Sequence, residues 1–221
     1  MPEAIINVNG ENVQTLQILF MTTLLMLLPS IIVMMTSFTR YVIVFSFLRT
    51  AMGTQQTPPN MVLIGVALFL TLFTMGPTLA QIQATAYEPY LAEEIGQDEF
   101  FQRAQVPLKD FMLRQVEPSS VNLFCDLSRT ARPADDAAAR QLPMRVVVPA
   151  FMTTELKKAF EIGFLLFIPF MLIDIVVSST LMSLGMIMLP PSMISTPFKL
   201  LLFIALNGWE LLFSTLVQGI M

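Results

Sequence analysis

Four long apolar stretches, separated by polar breaks, set the pattern of this chain. They predict membrane-length helices over roughly 15–36, 61–80, 162–184 and 198–219. Pro29 lies inside the first and predicts a kink, which packed neighbours can tolerate. The polar group Thr36-Ser37-Phe38-Thr39-Arg40 interrupts the pattern before a shorter apolar run from Tyr41 to Leu48. Gly53 and Pro58-Pro59 predict a turn before the second stretch, which carries no charge from Met61 to Pro77.

The last third reads as helix, tight apolar loop, helix. A charged lead-in at Glu155-Leu156-Lys157-Lys158 opens a run broken by Pro169 and Asp174. As one helix from Thr154 to Leu189 it would reach roughly 54 Å, against about 30 Å for the hydrocarbon core of a bilayer. That excess length favours an assembly built around the helix over a simple span. The loop Gly185-Met186-Ile187-Met188-Leu189-Pro190-Pro191 follows. Thr196 then fits an N-cap, with Pro197 in the first turn of the closing helix.

Between 81 and 150 the chain turns polar, and most of its charges fall there. Pro107 to Gln115 predicts an amphipathic helix with an Asp110–Arg114 pair at i,i+4. Pro118-Ser119-Ser120 predicts the start of a short helix running to Ser128, and Thr130 to Gln141 a surface loop. Only Met144 to Val148 hints at a strand. The expected segments are therefore a polar 1–14, a first apolar hairpin 15–80, a small helical extramembrane insert 81–150, and a second apolar hairpin 151–221. The fold class is all-α: long kinked membrane-associated hairpins.

Composition sharpens this. The chain is 55% hydrophobic and 13% charged, with a mean hydropathy of +0.70, which is a membrane-class balance. A net charge of −4 argues against nucleic acid as a partner. Without histidine the commonest general base and metal ligand are missing, and no catalytic constellation, nucleotide fingerprint or metal-ligand spacing stands out. No enzyme activity, metal or cofactor is expected. Cys125 reads as a small packed residue. Met1 to Gln14 does not read as a secretory leader. Arg40, Arg49 and Lys199, counted as loop charges, place the termini and the insert outside the cytoplasm, with Lys157 and Lys158 against that orientation.

Asp174, Lys199 and Glu210 sit in apolar surroundings, where a charge is expensive and faces a partner, a water path or the interface. Asp174 is mid-run, and Lys199 is expected to pair with Asp174 or Glu155 across a subunit contact. Met182, Met186, Met188 and Met193 either fill core or, in a ring of such loops, form a deformable watertight constriction.

The motifs Met34-Met35-Thr36-Ser37-Phe38-Thr39-Arg40, Pro58-Pro59-Asn60, Phe111-Met112-Leu113-Arg114-Gln115, Glu155-Leu156-Lys157, Phe167-Ile168-Pro169-Phe170, Gly185 to Pro191 and Pro197-Phe198-Lys199-Leu200 together closely resemble the FliP family. These are export-gate subunits of type III secretion, and the resemblance covers about residues 15–220. It implies a homo-oligomer, a pentamer, joined by FliQ and FliR and followed by FlhB. This helical ring sits at the inner membrane and flagellar basal body, raised largely to the periplasmic side and in contact with lipid. Unfolded flagellar export substrates would pass through it. It also implies a methionine gasket at Met186 and Met188, with Ile187 where the family pattern has another Met. Inter-subunit ion pairs are implied at Arg114, Glu155, Asp174 and Lys199. In the last helix the family often has an acid before Gly-Trp, whereas this chain has Asn207.

Two other readings follow from the residues. A small-ion channel or secondary transporter would use Asp174 as its coupling carboxylate, but the chain shows no paired halves. A scaffold without a pore would be indifferent to the size of Met186 and Met188.

Overall fold

The computed structural model describes residues 5–8, 11–186 and 188–221. Apart from a short antiparallel hairpin, β1 (Ile5–Val8) with β2 (Glu11–Gln14) and Val8 opposite Glu11, the described residues are helical or connecting. That hairpin lies in the segment read only as polar.

Helix α1 (Thr15–Met35) ends at Thr36-Ser37, and α2 (Phe38–Met52) leaves at 78° to the Pro29–Met35 portion. The break is local hydroxyl chemistry. Thr36 Oγ1 donates back to the Ile32 carbonyl and accepts from the Phe38 N–H at 3.3 Å, so it competes with the helical ladder. Helix α2 closes on Gly53 at φ +74°, whose N–H bonds to the Thr50 carbonyl. Helix α3 (Asn60–Ile82) continues through a π-helical turn, Gln83–Tyr87, into α4 (Glu88–Leu91).

The insert departs from the sequence reading in four places. Helix α5 runs from Gln97 to Gln115, so Pro107 is interior and buried. Its start is set by extended Gly96 and by Asp98 and Glu99 in the first turn, which complement the helix dipole. Asp110 pairs with Arg140 at 3.2 Å, not with Arg114. The expected loop over 130–141 contains α7 (Asp136–Gln141), capped by the Asp135 carboxylate accepting the Ala138 N–H at 2.7 Å. Met144 to Val148 is helix, because Val146 and Val147 are fully buried in the core. Helix α6 (Pro118–Leu127) forms where expected, with Pro118 in its first turn.

Helix α8 (Met144–Ser183) has 40 residues, about 60 Å. It begins inside the polar insert and runs out into the apolar half. Its main neighbour is α2, whose Tyr41, Val44, Phe45, Leu48, Ala51 and Met52 repeat at three and four residues and are buried together. Gly163 of α8 lets the two helices close up. A Cβ there would sit 2.5 Å from the Phe47 ring.

The closing helix starts earlier than expected, as α9 (Pro191–Ala205). Pro191 takes the first-turn place, while Thr196 and Pro197 are interior and Thr196 Oγ1 donates to the Ser192 carbonyl at 2.7 Å. The expected single helix over 198–219 is two, bent by 63° before α10 (Gly208–Gln218). Asn207 at φ +49° makes the corner, and Gly208 leaves room for the Phe203 ring, 2.3 Å from any Cβ built there. Phe203, Trp209, Phe213 and Phe45 then stack edge to face across the corner. By length and composition two helical runs, Asn60–Leu91 and Met144–Ser183, can cross a membrane, or up to four if each bent pair is one span.

Candidate functional site: a pinned hairpin tip

The tip between α8 and α9 is built by a glycine stop. Gly185 adopts φ +73°, its N–H bonds to the Met182 carbonyl at 3.0 Å, and the Met186 N–H reaches the Leu181 carbonyl at 3.0 Å. This double closure satisfies carbonyls that a helix end would leave bare. Among the described residues beyond its chain neighbours nothing lies within 4 Å of a Cβ built on Gly185, so its left-handed backbone is what calls for glycine. Around it Met188 is 97% exposed, Met182 and Met193 are exposed, and Met186 is 47% exposed. Ile187 lies outside the described residues.

Below the tip, α9 is pinned to both α8 and α2. The Lys199 Nζ donates to Asp174 Oδ2 at 2.7 Å and to the Ala51 carbonyl at 3.0 Å, and Ser195 Oγ donates to Asp174 Oδ1 at 2.6 Å. Lys199 is buried, and Ser195 is completely so. Ala51 lies in the last turn of α2, where a cation also meets the negative end of the helix dipole. Within one chain, then, Lys199 already has Asp174. Glu155 belongs to a different ion pair. Glu210, the third charge singled out, is exposed in the first turn of α10.

That second pair was not legible as such, because Arg40 reads as a loop charge. Arg40 is buried, its Nε 2.8 Å from Glu155 Oε2 and its Nη2 bonded to Glu155 Oε1. Its Nη1 donates to the Gly219 carbonyl at 3.1 Å and its Nη2 also to Gln115 Oε1 at 3.3 Å. Gln115 in turn donates to the Ile220 carbonyl at 2.7 Å. One guanidinium therefore joins α2, α5, α8 and the residues after α10. The available signal was that Arg40 leads directly into the apolar run Tyr41 to Leu48; Glu155, in its charged lead-in, gave none. A buried Arg40 no longer counts toward a loop-charge orientation.

Arg114 is exposed on α5 and among the described residues makes no hydrogen bond or ion pair. It borders a cleft of about 460 Å³ with Asp110, Asp135, Asp136 and Arg140. Elsewhere in the insert, the Arg132 guanidinium holds the Asp126 carboxyl below its usual range, chiefly by hydrogen bonding. Lys157 does the same for Glu117 across 2.8 Å. Burial pushes the Cys125 thiol up, as for a packed residue.

The model of the FliP family matches residues 21–216. The chain belongs to the FliP family. The match takes in the hairpin tip, the Arg40–Glu155 and Lys199–Asp174 ion pairs and most of α10. Among curated relatives, the flagellar biosynthetic protein FliP of Aquifex aeolicus (strain VF5) is 49% identical over 211 residues, covering 95% of this chain and 87% of that protein. FliP of Caulobacter vibrioides is 48% identical over 224 residues, 99% of this chain and 83% of the relative. FliP of Bacillus subtilis is 46% identical over 210 residues, 95% and 94% respectively.

Proposed function

We propose that this FliP-family chain is a non-enzymatic subunit of a flagellar protein export gate. Copies of it, as a pentamer, close around an axis with the partner subunits FliQ and FliR, and FlhB follows. Unfolded flagellar substrates pass along the axis. At rest the Met186, Ile187 and Met188 loops seal it, with the assembly at the inner membrane and the 81–150 insert toward the periplasm. The observation that carries this reading is the hairpin tip: apolar, flexible thioethers held out into open space on a backbone that Gly185, Lys199 and Asp174 fix in place.

Of the four charges expected between subunits, Glu155, Asp174 and Lys199 are engaged within the chain. Arg114 is left to meet a neighbour's carboxylate. Asp174 accepts from both Ser195 and Lys199, which disfavours a freely titrating coupling carboxylate in a transporter.

The test is native mass spectrometry of the chain in mild detergent, with ion leak through gates assembled in cells. The proposal expects a discrete ring, weakened by Arg114→Ala, and a leak in Met186→Ala/Met188→Ala. A tight seal in that double variant would sink it.

A further inference from the structure

We propose that the joint between α2 and α3 binds one internal water molecule, held by the hydroxyls of Tyr41, Ser37 and Thr74. The site does not depend on the gate reading. Tyr41 is completely buried, and Ser37 and Thr74 are buried within the single chain, so a neighbouring subunit does not change what they meet.

Helix α3 turns hydroxyls toward the core. Its buried positions are Leu63, Ala67, Thr71, Thr74, Met75 and Thr78, while Phe69, Leu72 and Phe73 are exposed. The Thr71 hydroxyl is spent on its own helix, donating to the Ala67 carbonyl at 2.7 Å. Thr74 Oγ1 lies 3.0 Å from the Leu70 carbonyl and 2.9 Å from Ser37 Oγ. With its own hydrogen on that carbonyl, Thr74 accepts from Ser37, and the lone pairs of Ser37 Oγ stay open. Tyr41, one helical turn after Ser37, brings its hydroxyl beside both. Yet Tyr41 Oη makes no hydrogen bond among the described residues. A buried hydroxyl in that state is costly and rare in native proteins.

The donor and acceptor count selects the ligand. The Tyr41 O–H needs an acceptor, and Ser37 Oγ can take a donor. A cation accepts no hydrogen bond, and the nearby acid Glu155 is already engaged by Arg40. An anion would find one free O–H. Water does both: it accepts from Tyr41, donates to Ser37, and has a second hydrogen for the remaining lone pair of Thr74. Three polar partners are what an internal water usually keeps. The bridge fastens the first turn of α2 to α3, directly after the 78° corner at Thr36-Ser37.

The experiment joins a cryo-electron-microscopy map of the assembled wild-type complex, at a resolution that shows ordered water, with thermal unfolding of the purified chain in detergent. The map should show a density peak at hydrogen-bond distance from both Tyr41 Oη and Ser37 Oγ. Tyr41→Phe should lower the unfolding midpoint by about 2–4 °C. Ser37→Ala should also lower it, and the double variant should lose much less than the sum of the two. A Tyr41→Phe midpoint equal to or above that of wild type overturns the proposal, because deleting an unpaired hydroxyl relieves a cost. So does a map in which Tyr41 Oη bonds directly to Ser37 or Thr74 with no density between them. The map is read on wild type, so a variant that fails to fold still leaves the question decided.

Discussion

Arg40 and Glu155, 115 positions apart in sequence, form a two-pronged ion pair in the middle of the helical core, with both side chains almost completely shielded from water. Removing one partner strands the other. Glu155→Ala is expected to cost about 3–5 kcal/mol, and Arg40→Met with Glu155→Leu together much less than the sum of the singles. Thermal unfolding of the purified single and double variants in detergent measures this. A double variant that loses the full sum of the two singles would show that the two side chains contribute independently, by packing alone.

Lys199→Ala removes two bonds from a buried position, Asp174→Asn only the charge at a half-exposed one, since Ser195 can still donate to the amide oxygen. The lysine variant should therefore be the less stable, by about 1–3 kcal/mol. Limited proteolysis should cut it faster around 184–190. If Asp174→Asn proves the more damaging, the Ala51 carbonyl is not the anchor it appears in the geometry.

Gly163→Ala is expected to destabilise through the Phe47 ring, and Phe47→Leu should recover part of the loss. Gly185→Ala should also destabilise, by about 1 kcal/mol through its left-handed backbone, and no neighbouring substitution should rescue it. Unfolding midpoints of the two series separate a crowded glycine from a conformational one.

Glu117 has a carboxyl held below its usual range, chiefly by the Lys157 hydrogen bond. A depressed carboxylate adds stability above its unfolded-state pKa and loses it as pH falls through the folded one. Stability should then fall toward acid pH, and Glu117→Gln should flatten that slope slightly while leaving the neutral-pH value nearly unchanged, the pair being exposed. An acid slope identical in wild type and variant would assign the dependence to Asp126 or other carboxylates.

Apolar length is what made the helices legible, and packing is what moved their ends. The overlong helix was expected over 154–189 and observed over Met144–Ser183. Val146, Val147 and Pro149 look unlike helix in isolation, yet the core buries Val146, Val147, Ala150 and Phe151 on one face. Pro107 and Pro197 read as helix starts because proline suits a first turn, but a buried or membrane helix tolerates it inside. The Lys199–Asp174 pair was foreseeable from two charges in apolar runs; Arg40 was not, because a neighbouring polar cluster disguised it as a loop residue.

Helix α8 is gripped along its first part and free along its last. Phe170 is its final buried residue among those described, just after Pro169, and Ser183 lies 13 residues beyond. That stretch is a cantilever of about 20 Å. A tilt of about 5° at the proline root, small for a proline-bearing helix, carries the free end about 2 Å sideways. Lys199 and Ser195 lash α9 to Asp174 and Lys199 also holds the Ala51 carbonyl of α2, so both arms pivot together above that anchor. In the ring proposed above, leverage from the clamped base would widen or narrow the axis while the tip itself keeps its shape.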